Sequence, residues 1–289
     1  PKIGGFNVEL LLKNDIQNSL IGQYSISNIT YLNLIKKVLK TLPKQELCLY
    51  PYENQSWEYS LLFNWKKLFG SKIIGNAHSS VRYWDLRYFN DQDYFVKNFN
   101  YSFPDLIAVN SSIAKKHLII SGTPANKIIE VEALRYNYIL DLDTLAKYKN
   151  NKEILILGDY SISITEELLE MVYHTFKDVD DIKFSLKFHP LCILDLSKYE
   201  QMNFKIINNP IPEIINNYDV CLSSETTTAA IEFWETEKKV ITYVNGINFS
   251  PLRGCQNVSF VYNKTELYKS VLFNLKPSKS TSFNNYFIL

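Results

Sequence analysis

Short apolar runs rich in β-branched residues alternate along this chain with longer stretches whose apolar positions recur every three to four residues. The first kind reads as strand and the second as amphipathic helix, because a strand repeats a face every second residue and a helix about every 3.6. In the first half the spacing predicts strands over 46–50, 71–77 and 105–110, with another inside 122–134. A helix is expected over 56–69, where Trp57, Leu61, Leu62, Trp65 and Leu68 share one face, and a second over 111–120. In the second half strands are expected over 153–158, 182–188, 204–207, 219–224, 239–244 and 258–262, with helices over 163–176, 211–218, 226–238 and 264–275. Ser163 followed by Glu166 reads as a capping box, and Pro212 suits a first helical turn.

Strands that alternate with helices and read as unbroken apolar runs imply parallel sheets covered on both faces. Residues 136–152 lose periodicity and end in a polar cluster, so the linker is expected there. The expected fold is α/β: two Rossmann-like, doubly wound parallel-sheet domains facing a cleft, residues 1–140 forming the first and 141–289 the second. Ligands of such sheets collect beyond the carboxyl ends of strands. That directs attention to the loops after residues 50, 77, 158, 188 and 222.

Composition narrows the picture. The 289 residues are 46% hydrophobic and 21% charged, enough apolar surface for substantial cores. A net charge of +1 argues against a partner held through a broad basic surface, so no nucleic acid is expected. The four cysteines, Cys48, Cys192, Cys221 and Cys255, contain no C-x-x-C pair, and Cys48 and Cys221 read as small buried hydrophobes. Free thiols and a reducing, cytoplasmic location are expected. No apolar run approaches the length of a membrane span, and no signal-peptide pattern is visible. Aromatic and basic residues interleave over 63–70 and 82–89; helix core with solvated lysines is the preferred reading, and peripheral membrane contact the alternative.

The strand ends carry the candidate chemistry. His189 and Pro190 follow the strand over 182–188. Proline stops strand pairing, and an imidazole there can donate to a phosphate oxygen; capping or packing is the plainer role. Ser223, Ser224, Glu225 and Thr226 to Thr228 follow a later strand and precede a helix. Free helical N–H groups with added hydroxyls make an anion site, against ordinary capping. Gly158 and Asp159 open the loop from the second domain's first strand, where a chain often approaches its ligand. Neither a dinucleotide fingerprint nor a Walker A lysine is present.

In the first domain Glu53 sits where the chain leaves a strand, and a partly desolvated carboxylate there can work as acid or base. The plainer role is a helix N-terminal glutamate, and Glu58, one turn inside the helix, reads as structural. His78 follows the next strand, with Arg82 nearby, and Arg135 precedes the linker. A planar guanidinium suits a carboxylate or a phosphate. Asp141 and Asp143 form a D-x-D in the linker and are discounted. No cluster has zinc spacing, so no metal site is expected.

Together these pieces resemble the two-domain GT-B glycosyltransferases, whose C-terminal domain holds the sugar nucleotide. His189-Pro190 and Ser223-Ser224 are similar to the motif pair of bacterial transferases that use CMP-activated acidic sugars, among them sialyl-, polysialyl- and Kdo transferases. The stretches YPYENQSWE, GNAHSS, PDLIAVNS and VEALRY resemble bacterial surface-carbohydrate proteins related to the Kdo transferases. The resemblance implies that His189, Pro190, Ser223 and Ser224 contact the CMP portion, and that Glu53 and His78 line the reaction centre. It implies transfer of a nonulosonic or ulosonic acid from a CMP-activated donor to a glycan or lipid-linked glycan at the inner face of a bacterial membrane. Arg82 and Arg135 would meet the sugar carboxylate, and no cofactor beyond the donor is implied. A GT-B enzyme using a UDP- or GDP-sugar, as transferase or epimerase, and a non-catalytic nucleotide- or glycan-binding module are the alternatives.

Overall fold

The computed structural model describes residues 2–3, 6–7, 9–82, 85–90, 102–142, 152–276 and 287–288. Asp143 of the D-x-D, the expected linker from 143 to 151, and positions 83 and 84 of the aromatic–basic stretch lie outside the described residues. The chain divides into two compact units. One comprises Pro1–Ser79, Asp85–Val109 and Leu118–Glu130; the other comprises Ser80–Trp84, Asn110–His117 and Val131–Leu289.

In the first unit β1 (Lys2–Ile3) and β2 (Phe6–Asn7) form a small antiparallel ribbon, followed by helices α1 (Glu9–Ile21) and α2 (Gln23–Thr41). A parallel sheet then runs in the order β3 (Leu47–Pro51), β4 (Lys72–Ala77), β5 (Leu106–Val109) and β6 (Ile128–Glu130). Helix α3 (Ser56–Leu68) joins β3 to β4 and buries Leu62 and Trp65. The indole N–H of Trp65 donates to Ser71 O at 3.1 Å, which secures the turn through Gly70 at φ +63°. Cys48 is only half-buried, because β3 is the edge of this sheet. Helix α4 (Ser112–Ile120) follows β5.

The second unit holds six parallel strands: β7 (Glu153–Leu157), β8 (Lys183–Lys187), β9 (Lys205–Ile206), β10 (Val220–Ser224), β11 (Lys239–Tyr243) and β12 (Val258–Val261). Their spatial order is β12-β11-β10-β7-β8-β9. Counted from β7 this is the doubly wound order 3-2-1-4-5-6, with its switch point between β7 and β10. Successive strand residues feed opposite cores. Leu155, Leu157, Cys221 and Val240 pack with Ile231 and Phe233 of a helix at Ala229–Glu235. Ile154, Ile156, Val220, Leu222 and Ile241 pack with Leu168, Leu169 and Val172 of helix α5 (Ile162–Phe176) and with Leu267 and Val271 of a helix at Lys264–Asn274. Covering on both faces is why these strands read as unbroken apolar runs.

Four local expectations need correction. Helix α5 starts at Ile162 with Ser161 at its N-cap and makes no side-chain cap bond; the Ser161 and Ser163 hydroxyls lie 3.0 Å apart instead. The segment 211–218 splits into α6 (Ile211–Ile214) and a 3-10 turn over Ile215–Asn217. The helix expected from residue 226 is α7 (Ala229–Glu235), so Thr226, Thr227 and Thr228 precede it. Residues 136–141, expected to open the linker, belong to a 3-10 helix, Leu134–Asp141, whose Tyr136 and Ile139 are buried. The last helix, α8, spans Lys264–Asn274 as the spacing predicts. Among the described residues no helix is long and apolar enough to cross a membrane, and all four cysteines are free.

Candidate functional site

At the switch point the loops leaving β7, β8 and β10 line a cavity of about 330 Å³ within the second unit. Gly158, Asp159 and Tyr160 come from the first loop, Lys187 to Pro190 from the second, and Thr226 to Ala229 from the third. Arg82, Arg135, Tyr136, Ile211 and Glu232 complete the walls. Of the residues singled out from the sequence, Gly158, Asp159, His189, Pro190, Thr226 to Thr228, Arg82 and Arg135 therefore meet here.

His189 is half-buried. The backbone N–H of Leu191 donates to its Nδ1 at 3.2 Å, and Cys192 N donates to His189 O at 2.8 Å, closing the turn at Pro190. Because Nδ1 accepts, the neutral ring carries its proton on Nε2, which makes that nitrogen a donor. Tyr160 packs edge-on to the imidazole, centroids 6.4 Å apart. Burial holds the nearby Lys187 ammonium below the usual lysine range.

Asp159 is 2% exposed and ties two of the loops together. Its Oδ1 accepts from Ser161 N at 3.0 Å. Its Oδ2 accepts from Thr226 Oγ1 at 2.7 Å, from Ser224 Oγ at 3.2 Å and from Thr227 Oγ1 at 3.2 Å. The three hydroxyls donate to a carboxylate of the protein itself. Gly158 has no positive φ, and a Cβ there would reach Lys187 O and Phe188 Cα at 3.4 Å, ordinary contact.

Ser223 and Ser224 do not line the cavity. Ser223 is fully buried, and among the described residues its hydroxyl has no hydrogen-bond partner; the Thr242 hydroxyl, opposite it in register on β11, has none there either. Strand alternation turns the Ser223 side chain to the α7 side, with Cys221. Ser224 is spent on Asp159 and on Thr227, 2.7 Å away.

Glu232 is a functional candidate that the pattern of the sequence did not reveal. It lies on α7, its side chain reaches the cavity, and the hydroxyl of Tyr138 donates to its Oε2. Burial pushes its carboxyl above the usual range, against the lowering influence of the Tyr138 bond and of Arg135. Arg135 in turn lies over the Tyr136 ring, 5.7 Å from its centroid.

Glu53 and His78 belong to the first unit, at the carboxyl ends of β3 and β4. Glu53 Oε1 lies 3.6 Å from His78 Nε2. The loop bearing Glu53 is shaped by buried Glu58, whose carboxylate accepts N–H bonds from Glu53 at 3.0 Å, Asn54 at 3.1 Å and Gln55 at 3.0 Å. Asn54 takes the left-handed conformation, φ +56°, that this arrangement requires. Burial raises the Glu58 carboxyl, while the three N–H bonds lower it. Among the described residues no group of three His, Cys, Asp or Glu side chains is placed to hold a metal ion.

No protein-family model and no curated protein matches the chain. Solved structures do. A UDP-GlcNAc 2-epimerase from Methanocaldococcus jannaschii superposes with a TM-score of 0.58 at 16% identity, covering 92% of this chain and 79% of that one. A UDP-GlcNAc 2-epimerase from Neisseria meningitidis, bound to UDP-GlcNAc, gives 0.54 at 12% identity over 85% and 72%. The Anabaena protein HepE, in complex with UDP and glucose, gives 0.50 at 14% over 83% and 71%. At these identities the likeness establishes architecture, and the chain has the α/β GT-B fold of two Rossmann-like parallel-sheet units.

Proposed function

We propose that this chain is a nucleotide-sugar enzyme that holds a UDP-activated donor in the second unit's cavity and transfers its sugar to a hydroxyl acceptor. The observation that carries the proposal is the convergence at the switch point of an imidazole N–H, two guanidinium groups and a half-buried carboxylate. Arg82, Arg135 and His189 suit a pyrophosphate, which accepts hydrogen bonds and carries negative charge. Glu232 suits the ribose hydroxyls, which donate. Ile211 supplies an apolar wall for a base.

The UDP assignment draws support from the fold's likeness to proteins solved with UDP-GlcNAc or with UDP and glucose. A CMP-activated acidic sugar is the donor implied by the sequence resemblance; of the residues that carry it, Ser223 and Ser224 do not line the cavity, although Ser224 bonds Asp159, which does. His189 and Pro190 keep it as the second reading. In either case the leaving phosphate gains charge as the glycosidic bond breaks. Donors fixed at that oxygen stabilise the transition state more than the bound substrate. Glu53, with His78 beside it, is the proposed base that takes the acceptor's proton. The same pair could instead move a proton on the donor sugar, which would make the enzyme an epimerase.

Calorimetric titration with UDP, CMP and GDP separates the donors, and NMR of the product separates the reactions. UDP binding, with UDP released and a new glycoside formed, is the expected result. Tighter CMP binding would replace the donor, an isomerised UDP-sugar would replace transfer by epimerisation, and binding of no nucleotide would remove the proposal.

A further inference from the structure

We propose that Tyr138 is a positioning residue that holds the Glu232 carboxylate as an acceptor for the donor's ribose, so that the pair determines the preference for a ribonucleotide over a 2′-deoxyribonucleotide. The inference rests on the reading of the cavity as the nucleotide site. Two carboxylates line that cavity, Asp159 and Glu232. Asp159 is taken up by Ser161 N and by the hydroxyls of Ser224, Thr226 and Thr227. Among the described residues Glu232 receives one protein donor, the Tyr138 hydroxyl on Oε2. Its remaining acceptor capacity is therefore directed at groups that donate, and vicinal hydroxyls are such groups.

Tyr138 does not itself line the cavity, and its hydroxyl holds Glu232, which does. It comes from the 3-10 helix Leu134–Asp141, which lies outside the strand–helix repeat. That helix is anchored by buried Tyr136, stacked on Phe287 with centroids 3.8 Å apart, and by buried Ile139. A fixed phenol removes rotamer freedom from a long side chain before the ligand arrives, which spares that entropy on binding. It also favours the ionised carboxylate, as Arg135 does, against the effect of burial. The other titratable groups around the cavity are Arg82, Tyr136, Tyr160, Lys187, His189 and Asp159.

The test is calorimetric titration of UDP and 2′-deoxyuridine diphosphate against the full chain, Tyr138→Phe and Glu232→Gln, from acid to neutral pH. The wild type should prefer the ribonucleotide. Tyr138→Phe, which keeps the ring's packing, should weaken UDP binding roughly tenfold, as for loss of a bond to a charged group, and leave the deoxy affinity unchanged. Its acid limit for UDP binding should move to higher pH, because the lost donor favoured the ionised form. Glu232→Gln should also lose the ribose preference and should show no such acid limit. If Tyr138→Phe binds both nucleotides as the wild type does, or loses both equally, the inference is overturned. Wild-type binding of UDP without ribose preference overturns it too, while the nucleotide reading stands. Wild-type binding of neither nucleotide overturns both.

Discussion

Asp159 accepts the Thr226 hydroxyl at 2.7 Å, joining the loop after β7 to the loop after β10 across the switch point. Ser224 and Thr227 donate to the same oxygen, so this carboxylate sets the shape of the floor beneath the proposed phosphates. Asp159→Ala would leave three hydroxyls without their shared acceptor in a buried place. A stability loss of about 1–3 kcal/mol is expected, as for buried polar groups left unpaired, together with weaker nucleotide binding. Asp159→Asn keeps one acceptor oxygen and should fall between. Thermal melting and calorimetry on the three proteins check this; wild-type affinity in the alanine variant would mean that the loop keeps its shape unaided.

His189 is prepared as a donor by a backbone contact rather than by a second side chain, since Leu191 N–H occupies Nδ1. His189→Ala should lower kcat by about 10²-fold or more, by comparison with other single-donor deletions at a developing anion. Circular dichroism should be unchanged, because the ring is half-buried at a loop end and not part of either core. Near-full turnover in this variant would remove His189 from the mechanism.

Much of this fold is legible in the sequence, for a physical reason. The central strands β7, β8, β10 and β11 are buried on both faces and so read as short unbroken apolar runs, and the longer helices show an apolar stripe. The same property hides the direction of a polar side chain at a strand's end. Ser223 and Ser224 look equivalent in sequence, yet one turns into a core and the other to Asp159. Glu232 escapes notice because a glutamate on a short helix is most often solvated, and its burial depends on Tyr138, 94 residues away. The 3-10 helix that carries Tyr138 and Arg135 has no 3.6-residue period and reads as linker. Arg82 could be named from its charge, but its place in the second unit follows from a five-residue segment, Ser80–Trp84, that no local pattern sets apart.

Glu53 and His78 stand close enough to share a proton through small movements, with Oε1 and Nε2 3.6 Å apart. Glu53→Gln should keep nucleotide binding and abolish turnover; loss of both would make Glu53 structural. Glu58 supplies a separate check, because it fixes the loop without being the proposed base. Removing its carboxylate in Glu58→Ala frees three N–H groups. A loss of about 1–2 kcal/mol is expected from the cap alone, and turnover should fall with nucleotide affinity unchanged.

Burial raises the Glu232 carboxyl above its ordinary range. A carboxyl whose folded value exceeds its unfolded value contributes stability that is fully present below the unfolded value and lost as pH rises through the folded one. At neutral pH the wild type therefore bears the cost of an ionised, half-buried Glu232. Glu232→Gln, which can still accept from Tyr138, should melt higher than the wild type at neutral pH. The difference should shrink as pH falls toward about 4, the ordinary carboxylate value. Melting curves from about pH 4 to 8 decide it; a lower melting point at neutral pH would show that the attraction of Arg135 outweighs desolvation.

Phe287 links the far end of the sequence to the cavity wall. Its ring stacks on Tyr136 with a 14° interplanar angle, and Tyr136 both lines the cavity and carries the Arg135 guanidinium on its face. The neighbouring backbone is fastened on two sides: Ala133 N donates to Ile288 O at 2.6 Å, and Ile288 N to Asn110 O at 3.0 Å. Phe287→Ala should cost about 3–5 kcal/mol, as for a large aromatic removed from a core. Because it releases Tyr136 and with it Arg135, nucleotide affinity should fall as well, whereas Phe287→Leu should retain most of both. An alanine variant that is destabilised yet binds UDP with full affinity would show that Arg135 is held by other contacts, and would separate the stability of this wall from its role at the ligand.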